Sequence, residues 1–190
     1  MPASAAVPVL TADRVRLRPL RSADARSLRL CFKDAGAEKY WHSIGGGSDG
    51  GLEAWIETQN ADPSPPEGRV AWAVAEKVSD LCIGIASRHH HEVADARLEI
   101  GYILAPEYRG RGLMTEAVTL LLRHCFEDLA VHRVEALIHP DNQPSIRLAS
   151  RLGFRCEGGP LRDYWKIGEQ YFSLMVYGLL SQEWASAQGR

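Results

Sequence analysis

The sequence predicts one domain of the mixed α/β (α+β) class, with hairpin-linked strands in its first half and strand–helix units in its second. Apolar and charged residues alternate in residues 15–20, as they do in a strand with one buried face. Two apolar runs, residues 70–76 and 81–87, lie either side of a short polar turn and predict a hairpin. From residue 113 the apolar spacing becomes that of a helix. The chain is therefore expected to form one sheet with helices packed on it.

Length and composition limit the class of protein. The 190 residues, 45% of them hydrophobic, suit a single domain with a core of its own. Acidic residues number 24 and basic residues 22, a net charge of -2 that argues against a nucleic-acid or anionic-membrane binder. No apolar run reaches the ~18 residues of a membrane helix, and the N-terminus lacks the basic start of a signal peptide. We therefore expect a cytoplasmic protein with a domain over residues 10–185, a flexible N-terminus 1–9 and a tail 186–190.

The elements follow in order along the chain. Helix-capping chemistry begins at Ser22, and a glycine-rich segment, residues 44–52, predicts a loop. The four cysteines lie far apart, which predicts buried thiols rather than disulfides or a zinc knuckle. The predicted strands are residues 15–20, 70–76, 81–87, 96–104, 133–138 and 172–180, and the predicted helices are those carrying Leu28, residues 52–59, Leu113 to Phe126 and Pro144 to Leu152.

A segment between a strand and a helix carries the strongest chemical signal. Pro106 stops the strand, and Arg109-Gly110-Arg111-Gly112 leads into the helix at Leu113. Glycines let backbone N–H groups approach a bulky anion, and the first turn of a helix offers unpaired N–H donors and a positive dipole end. The segment thus predicts a pyrophosphate cradle, with an ordinary glycine turn and two solvated arginines as the alternative. The third glycine of a Rossmann fingerprint is missing.

A second segment opens the next helix. Asn142-Gln-Pro-Ser145 follows a strand, so Asn142 is placed to cap the helix and Ser145 to lie in its first turn. Capping alone would explain both residues.

Taken together, the two segments resemble the GNAT N-acetyltransferase superfamily, and most closely the branch of ribosomal-protein-alanine N-acetyltransferases. Residues 99–117 match the acetyl-CoA motif of that family and residues 142–158 its next block. Residues 10–20, 161–164 and 177–184 are similar to further family segments, so the resemblance spans nearly the whole chain. It implies one mostly antiparallel mixed sheet of about seven strands, splayed at the acetyl-CoA site, with helices on both faces.

The resemblance also implies roles for individual residues. Acetyl-CoA is the implied co-substrate, with no metal, and the partner is an amine acceptor such as a protein N-terminus or a small molecule. Nucleic acid and membrane are not expected partners, and a homodimer is left open. Asn142 should form a hydrogen bond near the thioester or the pantetheine, and Ser145 should lie near the sulfur. The backbone of Tyr102, Ile103 and Leu104 should pair with the pantetheine arm, and the pyrophosphate should lie on Arg109, Gly110, Arg111, Gly112, Leu113, Met114 and Thr115.

The chemistry of acetyl transfer adds candidate catalytic groups. An amine whose pKa is near 10 must lose a proton before it attacks a thioester, so a base or a water relay helps. Glu99 and Asp163 are the candidate bases, and Ser145 could protonate the departing thiolate. Glu99 could equally be a strand residue held in an ion pair, and Asp163 could equally be a carboxylate on a surface loop. A module that binds acyl-CoA without turnover is the alternative to an enzyme, because Phe172-Ser173 stands where relatives often carry a polar or acidic pair.

Three consecutive histidines close the second strand of the hairpin. In an extended chain, His89 and His91 would share a face and His90 would point away. A mobile surface turn is the predicted setting, with one histidine reaching the acceptor cleft as the alternative.

Overall fold

A computed structural model describes residues 7–32, 40, 51–61 and 69–189. Most of the glycine-rich segment predicted as a loop, and residues 62–68, lie outside these residues. The strands are β1 (Leu10–Thr11), β2 (Val15–Pro19), β3 (Val70–Glu76), β4 (Cys82–Glu92), β5 (Arg97–Leu104), β6 (Arg133–Ile138), β7 (Arg155–Ile167) and β8 (Gln170–Leu180). The helices are α1 (Ala25–Phe32), α2 (Gly51–Ala61), α3 (Leu113–Arg123), α4 (Gln143–Arg151) and α5 (Ser181–Ala187).

The eight strands form one sheet in the order β1-β2-β3-β4-β5-β6-β8-β7. Every neighbouring pair is antiparallel except β5 and β6, which run parallel. That parallel pairing covers only Arg97–Glu99 against Arg133–Glu135, whereas β5 stays paired with β4 as far as Leu104. The sheet therefore splays between β5 and β6, as the predicted fold requires.

Helices cover both faces of the sheet, and each face has its own apolar core. One core combines buried residues of α3 and α5 with Val15, Leu17 and Trp72 of the sheet. The other joins α1 and α2 to Ala73, Ile85 and other residues of the sheet. The predicted mixed α/β class, with one mostly antiparallel sheet and helices on both faces, is confirmed. Among the described residues, no helix has both the length and the apolar character needed to cross a membrane.

A buried charge network ties β2 to the start of α1. The guanidinium of Arg18 donates to both carboxylate oxygens of Asp24, at 2.7 and 2.8 Å, and its Nε donates to Asp80 at 2.8 Å. Only 4% of the Arg18 side chain and 7% of the Asp24 side chain are exposed. The neighbouring cations Arg16 and Arg21 also contact Asp80, which lies nearer the surface. These hydrogen bonds hold the pKa of Asp80 well below its usual range.

Besides β1 and α5, which the predicted elements do not include, two longer strands differ from the sequence prediction. Residues 155–167 form a strand, β7, although only scattered apolar residues mark it in the sequence; it lies at the sheet edge, exposed, with irregular pairing to β8. The strand predicted at 81–87 continues as β4 through Glu92, because its pairing with β5 resumes after a bulge.

Candidate active site

A cleft of about 560 Å³ opens where β5 and β6 separate. Its walls come from both splayed strands and from the first turns of α3 and α4, with Ser87 and His89 on β4 and Trp165 on β7. The backbone of residues 100–104 faces β4 on one side only, so on its other edge it is not paired with any strand described here. The splay therefore creates both the cavity and a strand edge that a linear molecule can pair with.

The glycine segment forms the turn that the sequence predicts. Gly110 and Gly112 have φ of 75° and 77°, which only glycine adopts without strain. A Cβ on Gly110 would meet no atom within 4 Å, so open space lies beside the turn. Helix α3 starts at Leu113, and its N-cap Gly112 offers no side-chain cap, which leaves the first N–H groups available. Gly110, Gly112, Leu113, Met114 and Thr115 all line the cleft.

The two arginines of the segment have different positions. Arg109 lines the cleft, and its Nε donates to the Leu104 carbonyl at 3.0 Å, which closes the turn between β5 and the cradle. Arg111 is absent from the cleft walls; its guanidinium lies 5.6 Å from the centre of the Tyr108 ring. Its carbonyl accepts from Arg14, which in turn pairs with Glu116 of α3. Arg111 thus connects the glycine turn to Tyr108 and Arg14 without lining the cleft.

The second segment opens α4 against the same cleft. The Asn142 side-chain oxygen accepts the Ser145 N–H at 3.2 Å, so Asn142 caps the helix. The Tyr102 hydroxyl donates to the Ser145 carbonyl at 3.4 Å and links β5 to α4 across the splay. Tyr102, Ile103, Leu104, Asn142 and Ser145 are all cleft residues. The structure therefore gathers the residues predicted for the pantetheine arm and the sulfur in one cleft.

A buried carboxylate also lines the cleft, at the point where β5 still pairs with β6. Glu99 accepts from His89 Nε2 through one oxygen and from His90 Nδ1 through the other, both at 3.0 Å. Burial alone would raise the pKa of Glu99, but the two histidine hydrogen bonds hold it below its ordinary value. Glu99 is therefore an anion at neutral pH, and it lines the cleft.

The histidines are not arranged as predicted. His90 has a φ of 50°, which breaks the extended backbone within the β4–β5 bulge, so His89 and His90 converge on Glu99. The Nδ1 atom of His91 instead lies 3.4 Å from Nη1 of Arg88. The prediction that His89 and His91 share a face is wrong, and His89 lines the cleft, as the alternative expected. The sequence contains no signal for this, because it depends on how β4 and β5 pair.

Asp163, the other candidate base, lies apart from this group. It belongs to the exposed strand β7, has a φ of 53°, and is not among the residues that line the cleft. Its N–H donates to the Ser173 hydroxyl at 3.2 Å, while Phe172 packs 5.9 Å from His139, a cleft residue. Phe172 and Ser173 thus serve as packing and pairing groups at the β7–β8 hairpin. The structure brings Glu99 and Ser145 to one cleft and leaves Asp163 outside it.

A splayed sheet that presents a strand edge, a glycine cradle and a helix start to one cleft defines a class of enzyme, the transferases that use acyl-CoA. The family profile described as the acetyltransferase (GNAT) domain matches residues 14–155. The chain belongs to this family, and it is an acetyl-CoA-dependent N-acetyltransferase.

Relatives with several acceptors resemble this chain. An uncharacterized N-acetyltransferase, p20 of Bacillus licheniformis, is 31% identical over 93% of this chain and 98% of its own length. The spermidine N(1)-acetyltransferase of Escherichia coli (strain K12) is 26% identical over 84% of this chain and 82% of its own length. The [ribosomal protein uS5]-alanine N-acetyltransferase of the same strain is 34% identical over 45% of this chain and 43% of its own length. The expected resemblance to ribosomal-protein acetyltransferases is confirmed.

A solved structure shares the fold. RimL, described as a ribosomal L7/L12 α-N-protein acetyltransferase in complex with coenzyme A, superposes with a TM-score of 0.77. The superposition covers 91% of this chain and 98% of that one, at 17% identity, and therefore supports the fold alone.

Replacing Gly112 with Ala is expected to weaken acetyl-CoA binding about tenfold. A side chain at left-handed φ costs ~1–2 kcal/mol, so the turn should relax in the free protein and would have to regain the left-handed conformation to bind acetyl-CoA. The new Cβ would meet only Arg14 Nη2, at 3.4 Å, so backbone strain in the cradle is the main effect. Isothermal titration calorimetry with acetyl-CoA measures this change. Gly168→Ala is the matched control: its φ is 59°, no atom lies within 4 Å of its Cβ position, and it lies in the β7–β8 turn. Equal affinity in both variants would contradict the cradle.

Proposed function

We propose that the protein moves the acetyl group of acetyl-CoA onto a primary amine by direct attack in a ternary complex. The acceptor is a protein N-terminal α-amine or a small-molecule amine. One observation carries the proposal: the glycine cradle, Ser145 and the buried anion Glu99 all line a single cleft. Such a cleft can hold a thioester and an amine side by side, which is what direct transfer requires.

The residues of the cleft have separate tasks in this proposal. The N–H groups from Gly110 to Thr115 hold the pyrophosphate, and the free edge of Tyr102, Ile103 and Leu104 pairs with the pantetheine arm. Asn142, whose oxygen caps α4, still has its amide N–H groups to donate near the thioester. Glu99 takes the proton of the ammonium, which leaves a lone pair to attack the thioester carbon. Ser145 gives its hydroxyl proton to the thiolate as the C–S bond breaks, and it regains a proton from the acetylated nitrogen, which becomes the neutral amide.

The cysteines favour direct transfer over an acetyl-enzyme. Burial raises the pKa of Cys31, Cys82 and Cys125 to about 12, so each is a poor nucleophile. Cys156 is exposed on β7, where the sequence predicts a buried thiol, and it does not line the cleft. None of the four cysteines is thus placed to carry the acetyl group.

The buried anion Glu99 favours a cationic acceptor, which both N-terminal amines and polyamines satisfy. A thiol-release assay with acetyl-CoA separates them if it is run against alanine- and serine-starting peptides, ribosomal proteins, spermidine and aminoglycosides. Turnover with one of these classes is the expected result. Tight binding of acetyl-CoA without turnover on any amine would favour the acyl-CoA-binding module instead. The cytoplasmic location and the absence of a metal stay predictions.

Replacing Ser145 with Ala is expected to lower kcat about 100-fold while the Kd for acetyl-CoA changes little, because the hydroxyl acts only on the departing thiolate. Steady-state thiol release gives kcat, and calorimetry gives the Kd. Ser150→Ala, an exposed serine on the same helix, is the control and should match the parent protein. An unchanged kcat in Ser145→Ala would remove Ser145 from the mechanism.

A further inference from the structure

The carboxylate of Glu99 has two imidazole partners whose surroundings are opposite. The His89 side chain is 12% exposed and lines the cleft, whereas the His90 side chain is 70% exposed and does not line it. Both bonds are 3.0 Å long, one to each carboxylate oxygen. Glu99 therefore connects the interior of the cleft to an imidazole in solvent.

His89 is suited to remain a neutral donor. A carboxylate only accepts, so His89 carries its proton on Nε2. Its Nδ1 is buried and has no hydrogen-bond partner in the part of the chain that the structure describes. A second proton there would be buried without an acceptor, which is costly. For the same reason a metal ion does not fit: it would displace the Nε2 proton onto Nδ1, where metal-bound histidines normally have a partner.

His90 is held in place by an unusual backbone. Its φ of 50° lies in the left-handed region, which costs a side-chain-bearing residue about 1 kcal/mol or more. This conformation turns the ring back toward Glu99 instead of away from it, as an extended strand would. The ring nitrogen Nδ1 faces the carboxylate, while most of the side chain remains in water.

The other charges near Glu99 do not exchange protons at neutral pH. Arg69, which precedes β3, has a favourable electrostatic interaction with Glu99, and an arginine side chain stays protonated at neutral pH. Glu135 lies opposite Glu99 in the β5–β6 register and is paired with Arg133 and Arg97. Histidine is the side chain that gains and loses a proton near neutral pH. Among the described groups that contact Glu99, the solvated His90 is thus the one suited to receive a proton.

We propose that His90 is a proton-exit residue, which carries to solvent the proton that Glu99 takes from the acceptor; this rests on the proposed acetyl transfer. An N–H bond of the ammonium breaks and an O–H bond forms on Glu99. His90, which donates from Nδ1 to the Glu99 anion at rest, then exchanges that proton with solvent for one on Nε2, so that its Nδ1 lone pair faces the new O–H. The O–H bond breaks as Nδ1 takes the proton, and the Nε2 proton leaves to water or buffer. This restores both the Nδ1–H tautomer and the Glu99 anion.

The test compares the parent protein with His90→Gln, which can still donate to Glu99 but cannot carry a proton. The acceptor is the most active amine of the panel, at pH 6.5 and low buffer concentration. We expect kcat to fall about tenfold, less than for loss of the base itself, because water replaces the ring poorly. The KM for acetyl-CoA should not change. Added imidazole should restore the rate of His90→Gln in a saturable way and leave the parent protein unaffected.

Two comparisons keep the result interpretable. His132→Gln, an exposed histidine just before β6, should behave like the parent protein. Turnover should persist in a metal chelator. Parent-like turnover in His90→Gln, a deficit that imidazole does not relieve, or activity that requires added zinc would each overturn the proton-exit role. Absence of turnover by the parent protein on every amine would instead refute the proposed function.

Discussion

Replacing Glu99 with Gln is expected to lower kcat by about 100-fold or more, the usual contribution of a general base. The amide has nearly the same shape but cannot take the ammonium proton. The Kd for acetyl-CoA should stay close to that of the parent protein, because Glu99 lies in the part of β5 that pairs with β6, whereas the cradle follows the other end of that strand. Stopped-flow thiol release and calorimetry on the same preparation give the two quantities.

The control for this variant is Glu135→Gln on the adjacent strand. Glu135 is the register partner of Glu99, but it pairs with arginines and does not line the cleft. Its amide variant should keep parent-like turnover. If Glu99→Gln also turns over at the parental rate, the base is elsewhere, with Asp163 or a water relay as the remaining candidates.

Replacing Arg18 with Met is expected to cost about 3–5 kcal/mol of unfolding free energy, because Asp24 would remain buried without its cation. Asp24 is 7% exposed on its side chain and also accepts from the Arg21 N–H, so it can neither move to water nor lose its place at the start of α1. Urea denaturation followed by circular dichroism measures the loss as a shift in midpoint at constant slope.

Arg16→Met provides a matched comparison two residues away on β2. Arg16 pairs with the same Asp80 but is about one-third exposed, so its loss should cost at most ~1 kcal/mol. Adding Asp24→Leu to Arg18→Met should recover much of the lost stability, since an apolar pair leaves no buried charge. A similar cost for Arg16→Met and Arg18→Met would show that burial does not determine the energetics of this network.

The network has a predictable dependence on pH. The pKa of Asp80 is lowered in the folded protein, chiefly by the hydrogen bond from Arg18. Its contribution to stability is therefore present above the ordinary carboxyl pKa and is lost as the pH falls toward the folded-state value. The difference in stability between Arg18→Met and the parent protein should narrow in acid for this reason.

Local sequence was enough to predict the turns, the helix start and the helix cap that form the proposed donor site. The left-handed turns at Gly110 and Gly112, the helix start at Leu113 and the cap at Asn142 each depend on residues within one turn of the chain. Such features follow from backbone sterics and from the unpaired N–H groups of a helix start, both of which can be read from adjacent residues. The family resemblance extended them to a fold that the structure confirms.

The surroundings of Glu99 could not be predicted in this way, because they depend on pairing between distant segments. Glu99 meets His89 because the two are opposite in the β4–β5 register, and it meets His90 because a bulge turns that residue back. Asp163 is also a carboxylate that could accept a proton, but it belongs to the exposed edge strand β7 and does not line the cleft. Strand register and bulges are set by packing across the whole sheet, which no short window of sequence contains. The sequence by itself therefore determined the family and the local turns of the proposed donor site, while only the tertiary structure decided which candidate carboxylate lines the cleft and which histidines contact it.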